Sequence, residues 1–294
     1  MELEPTQKSS LDLPSLEGED AVTLADRLRN FPWWFVAIIL FLALTYLQVY
    51  LSENYRQAFG LIIFGLSTTI TISVLAYIVA LIVGLVAGMG RISRNTIARN
   101  VATFYVEFIR GVPMLVLIFY IAFVLVPSTL GAIQQLGLSI QDIGLESIGQ
   151  IFTAADPQGF SFYWRATIAL AITYGAFLAE IFRAGIESIE KGQMEAARSL
   201  GMSYGQAMRQ VILPQAIRNV LPALGNDFIA MVKESSLVSV LAVRDITQIA
   251  RLYAGRSFRF QESYSILTVL YLTLTIVLSL ILRGIERRLN RDAR

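Results

Sequence analysis

Hydrophobic positions along this chain come in long unbroken blocks, without the alternation of half-buried strands or the narrow stripe of a surface helix. The blocks cover 33–51, 59–89, 101–127, 162–189, 216–243 and 264–285. Crossing a hydrocarbon core takes about 20 helical residues. The pattern therefore predicts about six transmembrane helices and an all-α polytopic membrane protein. Residues 1–32 are polar, include Pro5 and Pro14, and read as a tail. The block 33–51 follows Arg27 and Arg29 without a small-residue cleavage site, so it is expected to be a retained anchor, not a removed signal peptide. This leaves 59–286 as one membrane domain and 287–294 as a basic tail.

Composition narrows the function classes. Hydrophobic residues make up 55% of 294 and charged residues 16%, with mean hydropathy +0.60, so no length remains for a separate soluble domain. The net charge of +2 gives no ground for a nucleic-acid partner. With no Cys and no His, disulfides, a His base and the commonest zinc, haem and iron–sulfur sites are ruled out. Neither a catalytic residue nor a metal-binding residue is expected.

The placement of basic residues sets the orientation, because cytoplasmic loops carry the excess. An inside N-terminus puts Lys8, Arg27, Arg29, Arg91, Arg94, Arg99, Arg183, Lys191, Arg198, Arg209, Arg218 and the arginines from Arg283 onward in the cytoplasm. Both termini are then cytoplasmic. The opposite side receives Arg56 and four arginines, Arg244, Arg251, Arg256 and Arg259, while 128–161 has no basic residue. Those four break the bias, and their segment is expected to be partly re-entrant or packed beneath the preceding helix.

Between two apolar blocks lies EAARSLGMSYGQAMRQVILP, residues 195–214. Gln193 to Leu200 favours a helix, and Gly201 suits a left-handed residue at its C-terminus. Ser203 stands three before Gln206, the spacing of a capping box, so a second helix should begin at Tyr204. Pro214 cannot continue that helix but could open the next. A helical cytoplasmic loop would satisfy this pattern. Yet Ala196, Ala197, Leu200 and Met202 keep small or apolar surface toward water, and such surface usually has a partner, so a docking helix stands as the alternative to a plain loop.

Glu195, Ala196, Ala197, Gly201, Leu213 and Pro214 resemble the EAA loop in the membrane subunits of bacterial ABC importers. RGVPMLV (110–116), YGAFLAEIFRAGIESIEKGQMEAARSLG (174–201) and LPALGNDFIAMVKESSLVSVL (221–241) are similar to that family's polar amino-acid branch (histidine, glutamine, glutamate or arginine). The resemblance spans about 59–286. It implies a type I importer permease core of five spans plus one extra N-terminal span, in the bacterial cytoplasmic (inner) membrane. The loop at 190–214 would couple to a separate ATPase through Glu195, Ala196, Ala197, Arg198, Leu200, Gly201 and Ser203. The implied partners are an ABC ATPase dimer that binds ATP and Mg, a second permease subunit of the same or a related chain, an extracytoplasmic amino-acid-binding protein, and membrane lipid.

Polar groups inside the blocks supply the other candidates. Glu180 and Arg183 share a helix face, so they form a local ion pair, or Glu180 lines a passage and meets a substrate ammonium. Ser67, Thr68 and Thr71 belong to a dense hydroxyl cluster that bonds backbone carbonyls or lines a polar path, with Tyr174 expected opposite. Gly84 and Gly88 have the spacing of close helix packing. Lys233, Glu234, Ser235 and Ser236 interrupt the fifth block, which calls for a local break or a partner contact, and they are the expected gate. With no Gly-x-x-x-x-Gly-Lys-Ser/Thr loop, the chain carries no usual ATP cradle of its own. The expected function is amino-acid import by alternating access, driven by a partner's ATP hydrolysis. The alternative is an ion-coupled secondary carrier, whose mark would be two similar halves with interrupted helices.

Overall fold

The computed structural model describes residues 33–291, with side chains to Arg287. The predicted tail 1–32 and the end of the basic tail 287–294 lie outside the described residues. The chain divides into two units, Met1–Leu44 and Thr45–Arg294.

Helix α1 (Trp33–Leu51) begins in the first unit. Apolar residues run all round it, and side chains such as Trp34 and Phe35 are exposed, as a surface meant for lipid requires.

In the second unit, α2 (Glu53–Ile62) runs through a short turn into α3 (Gly65–Arg91). Asn95 caps α4 (Thr96–Gly111), its Oδ1 accepting from the Ile97 and Ala98 N–H groups at 2.9 and 3.2 Å. Pro113 cannot continue that helix, and α5 (Met114–Tyr120) starts directly after it. A π-helical turn, Ile121–Leu125, joins α5 to α6 (Val126–Asp142), against which α7 (Glu146–Thr153) folds back. Then come α8 (Phe162–Glu187), α9 (Lys191–Ser199), α10 (Tyr204–Ala207), a second π turn (Met208–Ile212) and α11 (Leu213–Glu234). A 3₁₀ stretch, Ser235–Leu241, leads to α12 (Ile246–Ser257) and α13 (Phe260–Arg291).

Helix α8 is the centre of the bundle because its sequence is rich in Ala and Gly. Ala166, Ala169, Ala176 and Ala179 are fully buried. A Cβ on Gly84 would stand 2.6 Å from that of Leu178, and one on Gly88 would stand 2.7 Å from the Ala179 carbonyl. The two glycines thus let α3 and α8 approach backbone to backbone, in the small-residue packing that substitutes for a hydrophobic driving force in lipid.

Among the described residues, five helical runs are long and apolar enough to span: Trp33–Leu51, Glu53–Arg91, Met114–Asp142, Phe162–Glu187 and Phe260–Arg287. Helix α11 stands at the fifth predicted block, 216–243, made more polar by Arg218, Asp227, Lys233 and Glu234. The block 101–127 is corrected. Its apolar residues belong to two helices divided at Pro113, and the membrane-length one extends to Asp142. Much of the expected connection 128–161 is consequently helical. The 244–262 segment becomes α12, with Ile246, Gln248, Ala250 and Ala254 buried while Arg244, Arg251 and Arg256 are exposed.

Candidate functional site

The 190–214 segment folds as two short helices around a tight turn. Gly201 has φ +85°, Met202 N–H donates to the Ala197 carbonyl at 3.2 Å, and Gly201 N–H donates to Arg198 at 3.0 Å. This nested pair of bonds satisfies the last carbonyls of α9. Ser203 Oγ accepts from Gln206 N–H at 3.3 Å while Gln206 Oε1 accepts from Ser203 N–H at 2.8 Å, a closed capping box that starts α10. Ala197, Ala207, Met208 and Ile212 turn inward, the last two packing with Ile186 and Ala216. Glu195, Ala196, Arg198, Gly201 and Ser203 stay exposed, and Leu200 is 81% exposed. The chain does not break at Pro214. The second π turn carries the helix into α11. Arg94, in the turn after α3, lies over the Tyr204 ring at 5.4 Å and ties the segment to the α3–α4 corner.

That corner carries an ion network. Arg91 reaches Glu180 at 2.6 Å and Glu107 at 2.9 Å, while Arg183 pairs with Glu180 and, at 2.5 Å, with Glu187. Glu180 is therefore held between two guanidiniums, those of Arg91 and Arg183.

The hydroxyl residues are spread along α3. Ser67 and Thr71 are exposed and Thr68 is half-buried. Ser67 Oγ donates to the Phe64 carbonyl at 3.2 Å. Thr71 Oγ1 donates to Ser67 at 2.8 Å and accepts from the Tyr163 hydroxyl at 3.1 Å. The residue opposite them is thus Tyr163, which corrects the expectation of Tyr174. Helix α8 carries Tyr174 about 16 Å further along its axis, where its hydroxyl donates to Glu234 Oε2 at 2.9 Å.

Around Tyr174 lies a second polar group that joins three helices. Tyr77 donates to the Leu224 carbonyl at 2.5 Å, its ring meets Phe228 edge-on, and Asp227 Oδ2 is buried without a hydrogen-bond partner among the described residues. Helix α11 ends at Glu234, where the backbone tightens into the 3₁₀ stretch. Ser235 is buried, its Oγ donating to Val232 at 2.8 Å, Ser236 is half-buried, and Lys233 and Glu234 are exposed. The local break thus comes directly after the two adjacent charges, which stand in the last turn of α11. Along the faces of α3, α11 and α13 runs a cavity of roughly 940 Å³, lined by Tyr77, Pro222, Phe228 and Leu282 among others, with Arg218, Asn219 and Glu286 also in its wall.

Sequence reasoning passed over Asp227, Tyr77 and Arg91. Asp227 was findable, since an acid inside an apolar block marks a functional position. The other two take their meaning from partners far away in the chain.

A profile described as binding-protein-dependent transport system inner membrane component matches residues 80–291. The chain belongs to that family. Among its relatives, the glutamine transport system permease protein GlnP of Escherichia coli (strain K12) is 37% identical over 233 residues, covering 79% of this chain and 94% of the relative. The probable glutamine ABC transporter permease protein GlnM of Bacillus subtilis (strain 168) is 35% identical, covering 80% and 95%. A crystal structure of an amino acid ABC transporter with histidines is similar at TM-score 0.62 and 36% identity, covering 78% of this chain and 94% of that one. As a member of the binding-protein-dependent family, the chain is a multi-pass inner-membrane permease subunit of an ABC importer, with the type I permease fold and with ATP used by the ATPase partner. Its work is transport, not catalysis.

Proposed function

We propose that this permease carries polar amino acids by alternating access and is driven through residues 193–205. The reading rests on one observation: the 190–214 segment is fixed internally by two caps while presenting Glu195, Ala196, Arg198 and Leu200 outward. Such a preorganised knob suits insertion into a groove on another subunit, because little ordering entropy remains to be lost on docking. Closure of an ATPase dimer would move the two knobs together, and the ion network at Arg91 would rearrange as the helices tilt. Both termini lie in the cytoplasm on this reading, and the partner half is a second copy or a related chain. Ser67, Thr68, Thr71, Tyr174 and Glu180 are candidates along the path, joined now by Asp227. Lys233, Glu234, Ser235 and Ser236 gate it at the helix break. The glutamine in the names of two relatives supports a polar amino-acid cargo.

The test is ATP hydrolysis by the complete importer in lipid, with and without amino acid and binding protein. Glu195→Arg and Gly201→Pro are expected to abolish the amino-acid-dependent part and to weaken co-purification of the ATPase. Uptake by both variants at the wild-type rate would overturn the assignment of 193–205.

A further inference from the structure

The arginines of the α12 segment have no task in the reading above. Arg244, Arg251 and Arg256 are exposed, and none forms an ion pair among the described residues. Among the described residues, Arg259 donates its guanidinium only to neutral groups, Gln57 Oε1 at 3.1 Å and the Tyr253 hydroxyl at 3.2 Å. They stand on a fixed platform. Asp245 Oδ1 accepts from Gln248 N–H at 2.8 Å and caps α12, Thr69 Oγ1 accepts from Ile246 N–H at 3.3 Å, and Ile246 and Ala250 pack with Ala58, Ile62 and Ile266. At the helix end, Phe258 is 79% exposed in a left-handed conformation.

The platform touches the Gly65 end of α3, whereas the 190–214 segment meets the Arg91 end. A helix of 27 residues separates the two by about 40 Å. If the 190–214 segment faces the ATPase, α12 faces the opposite compartment. Basic residues there work against the usual topological bias, and the anionic leaflet that would reward them lies on the cytoplasmic side. Exposed Arg beside an exposed aromatic ring is instead the composition of a protein-binding hot spot.

We propose that Arg244, Arg251 and Arg256, with Phe258, form the docking surface for an acidic face of the importer's extracytoplasmic binding protein. The proposal rests on the importer reading and adds to it where the soluble partner lands and by what chemistry. Complementary charge steers the encounter, so docking weakens as salt rises. A load placed on α12 passes through Asp245 and Ile246 to the first turn of α3.

The complete importer in nanodiscs of zwitterionic lipid is titrated with its amino-acid-loaded binding protein, and ATP hydrolysis is followed. For wild type, the half-stimulating concentration should rise severalfold as salt increases from about 50 to about 300 mM. The Arg251→Glu/Arg256→Glu variant should raise it roughly tenfold at low salt and lose most of the salt response, and Arg251→Gln/Arg256→Gln should give a smaller shift. Thermal unfolding in detergent checks that each variant is folded. An unchanged half-stimulating concentration in the folded charge-reversal variant overturns the proposal. So does a dependence of wild-type activity on anionic lipid content that is the same with and without binding protein, which would make the arginines lipid contacts. Wild-type hydrolysis that the binding protein does not stimulate overturns the importer reading and the docking surface with it.

Discussion

Helix α3 is held at its two ends by different chemistry. At the Gly65 end the contacts are buried and close to backbone. A Cβ on Gly65 would stand 2.5 Å from Asp245 C and Ile246 N, and the Thr69 hydroxyl donates to Gly65 O at 3.1 Å while accepting from Ile246 N–H. At the Arg91 end the contacts are charged and partly wet, with side-chain exposure from 15% for Arg91 to 60% for Glu107. Neutral bonds shielded from water cannot be exchanged for water without a full desolvation penalty, whereas ion pairs that water partly reaches are screened and re-form with new partners. The Gly65 end is therefore an anchor and the Arg91 end a place of rearrangement. This matches the reading in which ATP-driven motion enters beside Arg94 and Tyr204.

The hardest blow to the anchor is Gly65→Val, whose side chain has only backbone to push against. It is expected to cost about 4 kcal/mol, leaving little folded protein by thermal unfolding in detergent. Near-wild-type stability would mean that this junction is loose.

Asp245 gives the next largest effect. Burial pushes its carboxyl up from 3.8 to about 6, against the opposing pull of hydrogen bonds from Gln248 and Thr247. Between about pH 4 and 6 the unfolded chain releases this proton while the native chain keeps it, so stability contributed by the group falls as pH rises and then levels off. Asp245→Asn can still cap α12 and carries no charge. It should flatten that decline and raise stability at pH 8 by about 2 kcal/mol. An unaltered pH profile would place Asp245 in water.

Thr69→Val leaves the Ile246 N–H without a partner at constant shape and should cost about 1.5 kcal/mol. The smallest change in stability belongs to the other end. Arg91→Gln should cost about 1 kcal/mol or less, yet uptake should suffer more than stability does. Equal loss in both would show that the network is merely structural.

The sequence made some of these features legible and hid others, according to how far apart the partners lie. The turn at Gly201 and the capping box of Ser203 and Gln206 were readable because each is completed within a few residues. Tyr174 and Glu234 are 60 residues apart, Arg91 and Glu180 are 89 apart, and Thr69 and Ile246 are 177 apart, and no local pattern joins them. The block 101–127 went astray because apolar character alone bridged Pro113, although that proline already barred a continuous helix. The proposed coupling segment was thus visible in the sequence, while the anchor exists only through the packing of α3 against α12, and the polar group around Tyr174 only through that of α3, α8 and α11.

The π turn at Met208–Ile212 makes the fit of the proposed coupling segment a matter of counting. Dropping one residue from that turn would let it close into an ordinary α-helix, and every side chain ahead of it would swing by about 100° relative to α11. A lineage could therefore retain Glu195, Ala196, Ala197 and Gly201 letter for letter and still lose its fit to the ATPase through a single deletion a dozen residues away. Among descendants of this permease, the spacing between Gly201 and Pro214 should be guarded as closely as the letters themselves.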